Sequence, residues 1–205
     1  MISSLKQALT PEEFIAQYGD DGRYELIDGE LRDLEPTGPH ETIAGQLTAY
    51  LSSEILRCRH KWVIPKSCLI QPPAAEATVL RPDVIILDCA ALQQEPLWQR
   101  EPIITSGRAI QLIAEVVSTN WQDDYARKID EYALLEVPEY WIVDYRGLGG
   151  IDYIGSPKQP AVTVCRLEGN RYSRQRYWID QPIHSGLLPA LNITLRDLMD
   201  AIAEH

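Results

Sequence analysis

The sequence has no C-x-x-C pair: its four cysteines, Cys58, Cys68, Cys89 and Cys165, stand far apart. That argues against a zinc site and against a disulfide framework, leaving buried thiols as the expectation. No stretch approaches the run of about 18 apolar residues that spans a bilayer. The opening MISSLKQALTPEEF lacks the basic start and apolar run of a secretory signal, so a cytoplasmic protein without a membrane partner is expected. Positive charge is scarce as well. Against 30 Asp and Glu there are 19 Lys and Arg, giving a formal net charge of −11 and a pI of about 4.8. Such a chain repels a polyanion at long range, because nucleic-acid binding draws on lysine and arginine contacts to phosphates.

What is present suits a globular fold. The 205 residues are 45% hydrophobic and 24% charged, without internal repeat or dividing linker, which predicts one domain over 1–205. Thr10-Pro11-Glu12-Glu13 carries an N-cap hydroxyl, a proline at the first helical position and a glutamate placed for a capping box, so a short helix should run to about Tyr18. RYELIDGELRDL holds two strand-like runs around Asp28-Gly29, the favoured pair for a type I′ hairpin turn. From His40 to about Arg57, Ile43, Leu47, Leu51 and Ile55 recur every fourth residue and predict a long helix lying across a sheet. Strands are expected at KWVIP, SCLIQ, VIILD, AIQLIAEVVS, YWIVDY, AVTVCRL and RYSRQRYWI. A helix is expected over DDYARKIDEYALLEV, and another from about Thr194. The fold class is α/β (α+β), a mixed sheet flanked by helices, with an N-terminal hairpin and added C-terminal strands.

Two carboxylates sit in strands that otherwise read as buried. Asp83 opens VIILD directly after Arg81-Pro82, and Glu115 interrupts LIAEVVS. An interior carboxylate costs several kcal/mol unless it is paired or binds a metal. Each alone is explained by a structural ion pair; both together, followed by a helix that presents Lys128, point to a site.

RPDVIILD, then LIAEVVS with Glu115 placed 32 residues after Asp83, then DYARKIDEY and EYWIVDY, resembles the Uma family of bacterial putative restriction endonucleases, a domain of unknown function within the PD-(D/E)XK nuclease superfamily. YELIDGEL, His40 before the long helix and GLLPALNITL extend the likeness from about Tyr24 to the C-terminal helix. The resemblance implies a restriction-endonuclease-like fold and a Mg2+- or Mn2+-dependent endonuclease acting on nucleic acid, with DNA the expected substrate. Asp83 and Glu115 become the metal-binding acids. The superfamily lysine falls at Val117, a departure; in the Uma-type pattern it sits on the following helix, where Asp124 and Lys128 match. Lys128 would orient water or offset charge on the transition state.

Magnesium takes oxygen ligands and keeps several waters, so Asp83, Glu115 and the carbonyl of Val116 suffice as its protein ligands. For Glu25 two readings stand, a hairpin-face glutamate or a further acid at the metal. His40 is a candidate phosphate contact or helix cap. Ser118 is a candidate phosphate donor or turn residue, in a loop that reads Ser118-Thr119-Asn120-Trp121 where the family has Ser-Pro-Ser/Thr. An exposed Trp121 would suit base stacking. Asp88, five residues from Asp83, should point to the opposite face.

Two functional classes follow: a metal-dependent endonuclease, acting as a homodimer if it cuts both strands, or a non-catalytic nucleic-acid-binding or protein-interaction module on the same fold. The charge is unevenly placed. Residues 1–35 carry nine acids and three bases, a balance of −6 that leaves −5 for the remainder. Arg57, Arg59, Lys61 and Lys66 form one basic stretch, and Arg166, Arg171, Arg174 and Arg176 another; either is a solvated face or a phosphate contact.

Overall fold

The structure is a computed structural model and describes residues 8–73 and 77–203. In chain order it contains α1 (Pro11–Tyr18), β1 (Tyr24–Ile27), β2 (Glu30–Asp33), α2 (Gly38–Cys58), β3 (Trp62–Val63), β4 (Leu69–Ile70), β5 (Val84–Asp88), β6 (Ile103–Ile104) and β7 (Ile110–Val116). There follow a π-helical turn (Asp123–Arg127), α3 (Lys128–Leu134), β8 (Glu139–Asp144), α4 (Ile151–Ile154), β9 (Ala161–Glu168), β10 (Arg171–Trp178) and α5 (Leu195–Ala203).

Local chemistry accounts for the element ends. Thr10 accepts from the Glu13 amide while Glu13 accepts from that of Thr10, the expected capping box. Asp28 and Gly29 have φ of 51° and 77°, as a type I′ turn requires at both central positions. The β1–β2 hairpin then pairs in register Tyr24↔Asp33 to Ile27↔Glu30. The long helix begins two residues ahead of His40, because Thr37 is its N-cap, its hydroxyl accepting from the His40 amide; of the two readings of His40, the cap does not hold.

Six strands form the central sheet in the order β3-β5-β7-β8-β9-β10. Only β7 and β8 run parallel, joined by the crossover through α3; every other pair is antiparallel. Strand alternation divides the core between the two faces. Val84, Ile86, Leu112, Ala114, Val116 and Trp141 meet α2 through Ile43, Leu47, Leu51 and Ile55. Each of those four helix side chains contributes about 1.5–3 kcal/mol by full burial. Ile85, Ile113, Val117, Tyr140 and Ile142 meet the crossover through Tyr125, Ile129 and Tyr132. Glu115 lies between Ile113 and Val117 and so belongs to the crossover face.

The chain after Val117 was expected to re-enter directly as an α-helix, but its first turn is wider, with the Lys128 amide donating to the Asp123 carbonyl. Such turns are frequent at functional sites. A smaller layer completes the molecule, in which β4 pairs with β6 and isolated bridges join Leu26 to Val79 and Ile70 to Leu80. It packs against Phe14 of α1 and holds the hairpin to the body.

Candidate active site

The register Val84↔Ala114 between antiparallel β5 and β7 puts Asp83, one residue before β5, directly across from Glu115. Asp83 Oδ2 accepts from the Val116 amide at 2.7 Å, which ties the end of one strand to the other. Above Glu115 the crossover brings in Lys128. Its Nζ lies 3.2 Å from Glu115 Oε1, 3.4 Å from Asp124 Oδ1 and 3.5 Å from Glu25 Oε2. Glu25, Glu115 and Lys128 are each at most 3% exposed. The hairpin therefore does lie over the site, and an ion pair of Arg127 with Asp28 at the hairpin tip latches it there.

His40 reaches the same cluster from the start of α2. Its Nε2 is 2.9 Å from the Val116 carbonyl and 3.3 Å from Asp83 Oδ2. The Val116 carbonyl, expected as a metal ligand, is thus an acceptor for histidine, with one lone pair left. Ser118 lies apart from the acids, its hydroxyl accepting from the Asn120 amide as in a turn. With His40, Thr37, Thr119 and Arg146 it lines a pocket of about 70 Å3 beside the cluster. Trp121 is half-buried against Gly150, Tyr125 and Tyr153, so it is a packing residue and not an exposed stacking platform. Asp88 caps the Ala90 and Ala91 amides, away from the site.

The sequence matches the family model described as Uma2, putative restriction endonuclease, over residues 11–196. The chain belongs to the Uma2 family. Its fold is similar to that of a solved structure described as a putative nuclease belonging to DUF820 from Anabaena variabilis ATCC 29413. That match has a TM-score of 0.70 at 15% identity and covers 95% of this chain and 99% of the other. Comparison with curated proteins gives no match. A nuclease of restriction-endonuclease-like architecture is the reading these findings support.

In this Uma2 chain position 117 is a valine, 1% exposed within the crossover-face core, and the cation beside Glu115 is Lys128 of the crossover. Two further residues of the site gave no signal as polar groups in the sequence. Tyr132 donates its hydroxyl to Glu115 Oε1 at 2.6 Å; it is four residues after Lys128, and that spacing puts the two on one helix face. The Arg81 amide lies 3.3 Å from Glu25 Oε2, and the Arg81 guanidinium donates to the carbonyls of Gly19 and Tyr24, fixing the chain that leads into Asp83.

Four carboxylates, Glu25, Asp83, Glu115 and Asp124, share two cationic groups. Burial pushes Glu115 well above the usual carboxylate range, against the pull of Lys128 and with added repulsion from Asp83, Asp124 and Glu25. Burial likewise raises Asp124 to about 7. Burial would lower His40, but the Asp83 hydrogen bond and charge, with Glu41, outweigh it and raise the imidazole to about 9. Lys128 is held charged in the same way, burial being overcome by its three carboxylates.

Among the described residues no three His, Cys, Asp or Glu side chains converge on a point that would hold a metal. Lys128 occupies the place where Glu25, Glu115 and Asp124 meet. The donor chemistry nevertheless suits a hard divalent cation. No described residue hydrogen-bonds to Asp83 Oδ1 or Glu115 Oε2, and the acids outnumber the cations around them. No helix of the described residues is long and apolar enough to cross a membrane.

Proposed function

We propose that this Uma2 protein is a divalent-metal-dependent endonuclease that hydrolyses phosphodiester bonds of DNA, with Mg2+ or Mn2+ as the ion. The observation that carries this reading is the pairing of Asp83 and Glu115 across neighbouring strands with buried Lys128 ion-paired to Glu115. Asp83 and Glu115 would hold the ion, and the Val116 carbonyl would be its third protein ligand. Bound there, the ion would supply Lewis-acid stabilisation of charge on the scissile phosphate.

Lys128 has a different part. Glu25, Glu115 and Asp124 keep its ammonium protonated in a site closed to water, and a fixed positive charge in such surroundings offsets charge developing on the phosphate. Tyr132 and Lys128 together hold Glu115 Oε1, which orients the other oxygen. His40 positions Asp83 and the end of β7. Thr37, Ser118, Thr119 and Arg146 around the neighbouring pocket offer donors to the substrate backbone. All four cysteines are free, which suits a reducing, cytoplasmic compartment, and two copies acting together would cut both strands.

A plasmid-nicking assay with Mg2+ or Mn2+ tests the assignment. The wild type should cleave, and Asp83→Ala and Lys128→Ala should not. Cleavage unchanged in either variant would sink the assignment. The closed ion-pair network around Lys128 also suits a non-catalytic module on the same fold. DNA binding without cleavage, indifferent to Asp83 and to manganese in calorimetry, would favour that second reading.

A further inference from the structure

The sheet face that carries Glu115 continues away from the candidate active site. Register places Ile142 beside Glu115, Thr163 beside Ile142, and Arg176 beside Thr163. At about 4.8 Å per strand, Thr163 is roughly 10 Å and Arg176 roughly 15 Å along this row. The far end of the row opens into a cavity of about 100 Å3, walled by Tyr125 and Tyr153 and bearing Thr163, Arg174 and Arg176, with Asp152 as its acid.

One donor in this cavity, Arg176 Nε, is buried without an acceptor among the described residues, although the same guanidinium is anchored through its Nη2 to the Tyr153 carbonyl. Thr163 is 5% exposed, and its hydroxyl has beside it only the Tyr125 hydroxyl, which itself donates to Asp144. Arg174, two residues along β10, is on the same face and exposed at the mouth. Each unsatisfied buried donor costs about 1–3 kcal/mol, and groups of this kind mark an occupant not yet accounted for. The occupant must bring acceptors. Two arginines against one aspartate favour an anion, and the cavity has room for a phosphate group.

We propose that this cavity is an oxyanion pocket for a phosphate group, with Thr163 and Arg176 as buried donors and Arg174 closing the mouth. The phosphate is either free inorganic phosphate or part of a nucleic-acid backbone. The distance of roughly 10–15 Å from Glu115 corresponds to three or four phosphates of one strand at about 3.4 Å of axis rise each. A backbone phosphate flanking the cleaved bond is therefore the assigned occupant; that choice of source rests on the endonuclease reading, whereas the pocket does not.

The test titrates the full chain with inorganic phosphate at low ionic strength, following amide shifts by NMR. The wild type and Asp83→Asn should bind saturably, and Thr163→Val, Arg174→Gln and Arg176→Gln should each bind about tenfold more weakly. Arg174 is exposed, so its variant reports even if a buried substitution disturbs folding. Binding that is absent, or unchanged in all three variants, overturns the pocket. Duplex DNA is then titrated in the Asp83→Asn background without metal. Arg176→Gln should lower the slope of log K against log salt by about 1, and phosphate should compete. Phosphate binding that depends on Arg176 with an unchanged DNA slope makes free phosphate the occupant and overturns the backbone assignment. A wild type that binds phosphate here but never cleaves DNA rejects the endonuclease reading alone.

Discussion

Replacing Lys128 with methionine removes the cation from the centre of a buried acid cluster while keeping most of the side-chain volume. Its ammonium faces three carboxylates within 3.5 Å, Glu25, Glu115 and Asp124, none more than 7% exposed. Removing one partner of a buried ion pair costs about 3–5 kcal/mol, because the remaining charge is left uncompensated. For a chain of this length about 1 kcal/mol corresponds to roughly 2–4 °C, so the melting temperature in EDTA at pH 8 should fall by about 6–20 °C. The loss should shrink at low pH. Glu115 and Asp124 ionise near pH 4 when unfolded, but in the folded protein they are raised, Asp124 to about 7. Between those values the folded state holds more protons, so stability falls as pH rises. Lys128 is what lowers both acids, so the variant should show the steeper fall. Denaturation curves at pH 5 and pH 8 decide it. A variant within about 2 °C of wild type at pH 8, or one hurt more at pH 5, refutes the counter-ion role.

Asp83→Asn and Glu115→Gln should each reduce metal-dependent cleavage by at least about a hundredfold, and manganese calorimetry on Asp83→Asn should show no binding at this site; retained activity excludes the residue as ligand. His40 is raised to about 9, so its stabilising contribution is complete below about 6.5 and lost as pH rises through about 9. The stability gap between wild type and His40→Gln should accordingly close between pH 6.5 and 9, and a gap that widens would contradict the Asp83 pairing. Arg127→Gln breaks a partly exposed latch and should cost no more than about 1 kcal/mol, yet hydrogen exchange should speed up over residues 24–33, which lie over the site.

The elements with strong periodicity or specific end signals were legible in the sequence. Ile43, Leu47, Leu51 and Ile55 declared α2 and the face it buries, Asp28-Gly29 declared the hairpin turn, and an acid inside LIAEVVS pointed to Glu115. The site was less complete, because its supporting contacts join residues far apart in the chain. His40 meets Val116 across 76 positions, and Arg81 meets Glu25 across 56. Tyr132 read as part of an apolar helix face because its ring does pack there, while its hydroxyl does the polar work. The π-helical turn has no sequence signature. Thr163 looked like one residue of a β-branched strand, and only its place on the cavity wall beside Arg176 distinguishes it.

The net charge of −11 takes on a different meaning once the acids are located. In the acidic first 35 residues, Asp33 pairs with Arg23, Glu30 with Arg32 and Asp28 with Arg127 at the surface, and Glu25 with Lys128 in the interior, so each of these four hairpin acids has a cation beside it. Arg57 of the first basic stretch is likewise held by Glu54, whereas Arg174 and Arg176 make no ion pair among the described residues. The field that a polyanion meets is therefore set by position and not by the sum: repulsion around an acid-rich site, with uncommitted arginines beyond β8. For a phosphodiester to approach Asp83 and Glu115, the excess charge there must first be balanced. An ion that balances it makes productive binding depend on metal, while the arginines hold the strand at a distance from the acids. Binding should thus be weak without metal and salt-sensitive with it, and tight metal-free association would contradict the arrangement of charge in this fold.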